Sequence, residues 1–135
     1  MKNMKNDCEI IAKKNNIEFN WNNKFPINSL TLMRGYIAIN EKSKKEYFDV
    51  CFDAYWKDNI DISIEKNLNE ILDKCKINKD IFFEKIKDEK IKDELKKLTN
   101  QAFQKDVLGA PTFIVNNKLF WGQDRLVYAL DEYNS

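Results

Sequence analysis

Apolar residues recur at helical spacing over most of the chain, and the pattern changes character over its last thirty residues. Met4, Cys8 and Ile11 lie about one helical turn apart, which predicts a helix over residues 2–15 that stops at the Asn15-Asn16 pair. Ile17, Phe19 and Trp21 alternate with Glu18 and Asn20, the pattern of a short extended piece with one buried face. Pro26 keeps the residue before it out of helix, and Asn28 or Ser29 can cap a following helix that carries Leu30, Met33 and Ile37 on one side. Residues 45–57 are apolar almost all round, through Tyr47, Phe48, Cys51, Phe52, Tyr55 and Trp56, which predicts a helix buried on more than one side, in a core or a dimer contact. Asp61 or Ser63 opens a cleaner amphipathic helix with Ile64, Leu68, Ile71, Leu72 and Cys75. A short helix over 80–87 and a longer one over 92–105 follow, the second turning Leu95, Leu98 and Ala102 inward.

From Gly109 onward the pattern is different. Gly109-Ala110-Pro111 ends the helix, and residues 112–115 are a β-branched and aromatic run. Asn116-Asn117 is a tight-turn pair, because asparagine tolerates positive φ, and residues 118–121 make the return strand. Gly122 breaks that strand, and Gln123-Asp124 start a last helix expected to pack through Leu126, Leu130 and Tyr133. A two-stranded hairpin is marginal alone, and only residues 17–21 offer another strand. A proline after a helix, an antiparallel hairpin and a terminal helix make up the C-terminal half of a thioredoxin-like fold. The expectation is therefore an α/β chain: a mostly helical insertion over 1–108, and the C-terminal β-hairpin and helix over 109–135, together one structural unit.

The composition narrows the function classes. Of 135 residues, 43% are hydrophobic and 33% charged, and the 23 basic and 22 acidic side chains leave a net charge of +1. That balance argues against a nucleic-acid binder, which carries a clustered basic excess. The lysine- and glutamate-rich stretch over 78–97 reads as a solvated helical face. No segment reaches the roughly 18 consecutive apolar residues of a membrane span. The first nine residues lack the apolar run of a secretory signal, so a cytoplasmic protein is expected. Cys8, Cys51 and Cys75 are isolated, with no Cys-x-x-Cys pair, and read as small buried hydrophobes. Without histidine, zinc sites and Ser-His or Cys-His dyads are not expected within this chain, and no metal site is expected.

The run Gly109-Ala110-Pro111-Thr112-Phe113-Ile114-Val115, followed by Leu119-Phe120-Trp121-Gly122-Gln123-Asp124-Arg125-Leu126, resembles the C-terminal signature of the 2-hydroxychromene-2-carboxylate isomerases. The kappa-class glutathione transferases and the broader DsbA-like group are similar there. Phe25-Pro26-Ile27-Asn28-Ser29-Leu30, Asn59-Ile60-Asp61-Ile62 and Leu98-Thr99-Asn100-Gln101-Ala102 fit the same family in the same order. The resemblance thus covers essentially the whole chain.

The resemblance implies a glutathione-dependent isomerase whose substrate is a small conjugated aromatic acid. Pro111 is implied to be a cis-proline that turns the backbone N–H and C=O of Ala110 toward the cysteinyl part of glutathione, in the manner of an added strand. Gln123 and Asp124 match the positions that hold the γ-glutamyl end: the helix start favours its carboxylate, and Asp124 pairs with its ammonium or simply caps the helix. Gln123 stands where the transferases often carry serine. Arg125 is expected to pair with Asp106 or another acid, and Trp121 to lie in the core. The family's thiol-activating serine belongs to an N-terminal Ser-Pro-Tyr type motif, and Ser29, Ser43, Ser63 and Ser135 are not in that setting. No catalytic residue is therefore expected in this chain, which reads as a truncated member: a late start codon, a split gene or a degraded copy. Two other readings stay open, a DsbA-like thiol-disulfide oxidoreductase fragment and a non-catalytic remnant or interaction module. The family is usually dimeric, which allows a homodimer.

Overall fold

Seven helices and one hairpin follow each other in a computed structural model that describes residues 2–135. The helices are α1 (Lys2–Lys14), α2 (Leu30–Ala38), α3 (Glu41–Trp56), α4 (Glu65–Lys74), α5 (Lys79–Lys85), α6 (Glu89–Gln104) and α7 (Leu126–Tyr133). Strands β1 (Thr112–Val115) and β2 (Lys118–Trp121) precede a 3-10 turn, Gln123–Arg125, that runs into α7. The chain forms two compact units, one reaching to Lys92 and the other Asp93–Ser135, so the division falls within α6. No helix among the described residues is long and apolar enough to cross a membrane.

Three helices stop by the same device. Asn16, Lys76 and Asp106 adopt φ of 54°, 55° and 58° just past the ends of α1, α4 and α6. The next residue then donates its N–H five residues back: Ile17 to Ala12 at 2.9 Å, Ile77 to Leu72 at 2.9 Å, Val107 to Ala102 at 3.1 Å. These bonds satisfy carbonyls that a helix end otherwise leaves free. At the other end, Asn40 caps α3 by accepting from the Ser43 N–H, and Asn78 caps α5 by accepting from the Ile81 N–H.

The core of the first unit forms where α3 meets α4 and α2 meets α5. Tyr47, Cys51, Ala54 and Tyr55 of α3 pack with Leu68, Ile71 and Leu72 of α4 and with Phe82 of α5. α2 contributes its small residues. Gly35 and Ala38 are buried, and a Cβ at Gly35 would stand 2.4 Å from the Phe82 ring and 2.6 Å from the Tyr47 hydroxyl. The face expected to pack, Leu30 with Met33, is instead exposed. A helix that must approach an aromatic ring closely presents its smallest residues, not its largest.

The segment over 17–21 is not a strand. Phe19 and Trp21 join Phe25 and Trp56 in an aromatic cluster with ring centroids 4.9–6.5 Å apart, while Ile17 is exposed. Its backbone and asparagines bond to the end of α3, where carbonyls are free. The Asn20 N–H donates to Trp56 C=O at 2.6 Å and its Nδ2 to Lys57 C=O at 2.5 Å. Asn22, 1% exposed, donates from Nδ2 to the Tyr55 and Ile60 carbonyls and accepts from the Lys24 N–H on Oδ1. Both hydrogens of this buried amide and one lone pair of its oxygen are thereby used.

α4 begins at Glu65, because Asp61 and Ser63 close a turn on each other: the Ser63 N–H and Oγ both donate to Asp61 Oδ1. Cys51 and Cys75 are buried as expected, and Cys8 is half-buried. Burial pushes the Cys51 thiol up to about 12 and the Cys75 thiol up to about 11, so neither is thiolate at neutral pH.

In the second unit, β1 and β2 pair antiparallel with Thr112 opposite Trp121 and Val115 opposite Lys118. Asn116 and Asn117 sit at φ 49° and 61°, the paired positive values that a two-residue hairpin turn requires. Glu132 of α7 ties the helix to that turn. It accepts from Lys118 Nζ at 2.6 Å and from Asn116 Nδ2 at 3.2 Å, bonds that hold its carboxyl below the usual glutamate range. α7 buries only Ala129, leaving Leu126, Leu130 and Tyr133 exposed. A two-stranded sheet covers too little of the helix to take up its large residues. Trp121, expected in the core, is 55% exposed for the same reason. In α6 no residue is fully buried, and Leu98 is exposed.

Candidate functional site

The four positions singled out from the sequence, Ala110, Pro111, Gln123 and Asp124, all belong to the second unit and are all exposed. The Ala110-Pro111 bond is cis; a second cis bond, Phe25-Pro26, carried no sequence signal that separated it from a trans proline. The Gly122 N–H donates to the Pro111 carbonyl at 2.9 Å, which joins the proline loop to the Gly122–Asp124 segment. The Thr112 hydroxyl donates back to the Gly109 carbonyl at 2.5 Å and is thus engaged in the loop itself.

Ala110 differs from its neighbours. Its N–H and C=O make no hydrogen bond among the described residues, and they lie at the surface just before β1. An exposed donor and acceptor on one residue at the head of a strand can take an extended peptide by main-chain pairing.

Gly122 shapes the other half. At φ 108° and ψ 152° it occupies a region open essentially to glycine alone. A Cβ there would lie 2.5 Å from Asp124 Oδ1, so the carboxylate folds back over the glycine backbone. Gly122→Ala should lower stability by about 1–3 kcal/mol, measured as a shift in a thermal melt. Asp124 also lies 3.4 Å from Arg125 Nε, and the Arg125 guanidinium stands 5.6 Å from the Tyr128 ring. Arg125 therefore pairs with its neighbour and not with Asp106. No side-chain hydrogen bond caps the 3-10 turn or α7, so a capping role for Asp124 is not realised. Sequence reasoning missed Gly122 as the cradle of this carboxylate, although a glycine directly before Gln123-Asp124 was the available signal.

A family model described as the DSBA-like thioredoxin domain matches residues 1–134. The chain belongs to the DsbA-like thioredoxin domain family. Its fold is thioredoxin-like of the DsbA type. Among curated relatives, the 2-hydroxychromene-2-carboxylate isomerase of Sphingobium xenophagum is 26% identical over 96 residues, covering 71% of this chain and 49% of that protein. The enzyme of the same name from Pseudomonas sp. (strain C18) is 28% identical over 80 residues, covering 59% of this chain and 38% of that protein. A solved 2-hydroxychromene-2-carboxylate isomerase superposes with a TM-score of 0.86 at 21% identity, over 98% of this chain and 65% of that one. The chain therefore spans half or less of the curated relatives and about two thirds of the solved one.

Proposed function

We propose that this chain carries the glutathione-holding part of a glutathione-dependent isomerase of the 2-hydroxychromene-2-carboxylate isomerase type, acting on a small conjugated aromatic acid. The observation that carries the reading is the free main-chain N–H and C=O of Ala110, next to Pro111, whose carbonyl accepts from the Gly122 N–H of the loop that presents Asp124. The names of the curated relatives support the same reaction class.

These residues fit the tripeptide. The Ala110 N–H and C=O pair with its cysteinyl backbone, the Gln123 amide faces the γ-glutamyl carboxylate, and Asp124 takes the γ-glutamyl ammonium. Asp124 is free to do so, because its exposed pair with Arg125 is weak. Glutathione, when held there, would supply a thiol for reversible addition to a conjugated carbon, which would free the neighbouring bond to rotate. The residues of this chain hold and orient that thiol. Activation of the thiol needs a hydroxyl or base beside it, and the four serines of the chain do not lie in the family's Ser-Pro-Tyr setting. On this reading the activating serine comes from polypeptide outside these 135 residues. The oxidoreductase alternative lacks its Cys-x-x-Cys pair here, and the buried thiols of Cys51 and Cys75 do not replace it.

Amide chemical shifts of the labelled chain, recorded while glutathione is added, test the proposal. Saturable shifts should centre on Ala110, Thr112 and Gly122–Asp124. No saturable shift there, or shifts confined to the helical unit, would reject it.

A further inference from the structure

The free backbone of Ala110 lies between two residues that are each held in place. On one side the Pro111 carbonyl accepts from the Gly122 N–H at 2.9 Å. On the other the Gly109 carbonyl accepts from the Thr112 hydroxyl at 2.5 Å. Trp121 adjoins both restraints, since it stands opposite Thr112 in the hairpin and directly before Gly122 in the chain.

The Trp121 side chain adds a third restraint. A Cβ at Gly109 would stand 2.9 Å from Trp121 Nε1, 3.4 Å from Cε2 and 3.6 Å from Cζ2. All three atoms belong to one edge of the indole, so that edge lies over the Gly109 backbone. Gly109 is glycine for room and not for conformation. Its φ lies outside the left-handed range, which Gly122 alone of the described glycines occupies. The indole itself is 55% exposed and is no core residue. What its contact does is limit where the Gly109 backbone can move.

We infer that Trp121 is a positioning residue for the proline loop: its indole fixes Gly109, and through it the direction of the Ala110 N–H and C=O. The role rests on glutathione binding at this loop. A main-chain pair already held in one conformation spares a ligand the cost of ordering it. Without the indole, the Gly109-Ala110 backbone would have to be ordered when glutathione binds. Ordering one residue in this way weakens binding by about 5- to 30-fold.

Trp121→Ala and Gly109→Ala, made singly and together in the full chain, test the role by calorimetric titration with glutathione beside thermal melts. Each single variant should bind glutathione about 5- to 30-fold more weakly than the unaltered chain. The two losses should not add, because with the indole gone nothing crowds a Cβ at residue 109. Trp121→Phe keeps a ring over Gly109 and should bind more tightly than Trp121→Ala. Gly109→Ala should fold, since the half-exposed indole can swing aside, and it carries the test if Trp121→Ala does not fold. Backbone order at the Ala110 amide, read by NMR relaxation without ligand, should fall in both single variants. With glutathione bound by the unaltered chain, unchanged affinity in Gly109→Ala, additive losses in the double variant, or unchanged order at Ala110 would each overturn the role of Trp121 alone. No binding by the unaltered chain would overturn it together with the glutathione reading.

Discussion

Phe82→Ala should lower the unfolding free energy by about 3–5 kcal/mol, the cost of removing a buried phenylalanine and leaving its cavity. Phe82 is 2% exposed and stands at the point where α2, α3 and α5 converge. Its ring lies 6.1 Å from Tyr47 and 5.5 Å from Phe83, and it fills the space that Gly35 leaves by lacking a side chain. Little can move in to replace it, since the nearest backbone is already in contact. Denaturant unfolding followed by the helical circular dichroism signal measures the effect. Phe103→Ala is the control: Phe103 is 78% exposed, and its loss should change stability by no more than about 0.5 kcal/mol. Equal losses for the two variants would show that the core is not organised around Phe82.

The elements that were legible in the sequence are those whose causes are local. The hairpin followed from alternation and from Asn116-Asn117, because both turn residues need positive φ and asparagine supplies it at small cost. The helix end at Asn16 was legible for the same reason. What the sequence hid was which face of each helix meets a partner. α2 shows apolar residues on two sides, and the choice fell on Gly35 and Ala38 because Phe82, far along the chain, needs the room. α7 shows an apolar stripe through Leu126 and Leu130, yet only Ala129 is buried, since what lies against it is two strands and no more. Periodicity reports that a face is apolar, not what covers it.

The candidate site divides in the same way. Pro111 and Asp124 were recognised through the motif around them, and the structure joins their loops by the Gly122-to-Pro111 hydrogen bond. The unpaired backbone of Ala110 could not be read from an alanine, because it is a property of the neighbouring hydrogen bonds. The open cavity against α3 is hidden likewise: an aromatic helix of this composition reads as core, and only the fold shows the space beside it.

Asp124→Asn should weaken glutathione binding by about 10- to 150-fold, the equivalent of about 1.5–3 kcal/mol for loss of one partner of a charge-assisted hydrogen bond. The substitution keeps the shape of the side chain and its place over Gly122 and removes only the charge. Stability should barely change, because Asp124 makes no cap and its one ion pair, with Arg125, is at the surface. Affinity and stability thus report different things at this residue, and both can be read from the same two proteins.

Calorimetric titration of the unaltered chain and of Asp124→Asn with glutathione, each beside its own thermal melt, is the most direct test of glutathione binding at Ala110, Pro111, Gln123 and Asp124. The expected result is saturable binding by the unaltered chain, a 10- to 150-fold weaker constant for the variant, and superimposable melts. Glutathione affinity that is the same in both proteins, or no binding by the unaltered chain, would contradict it.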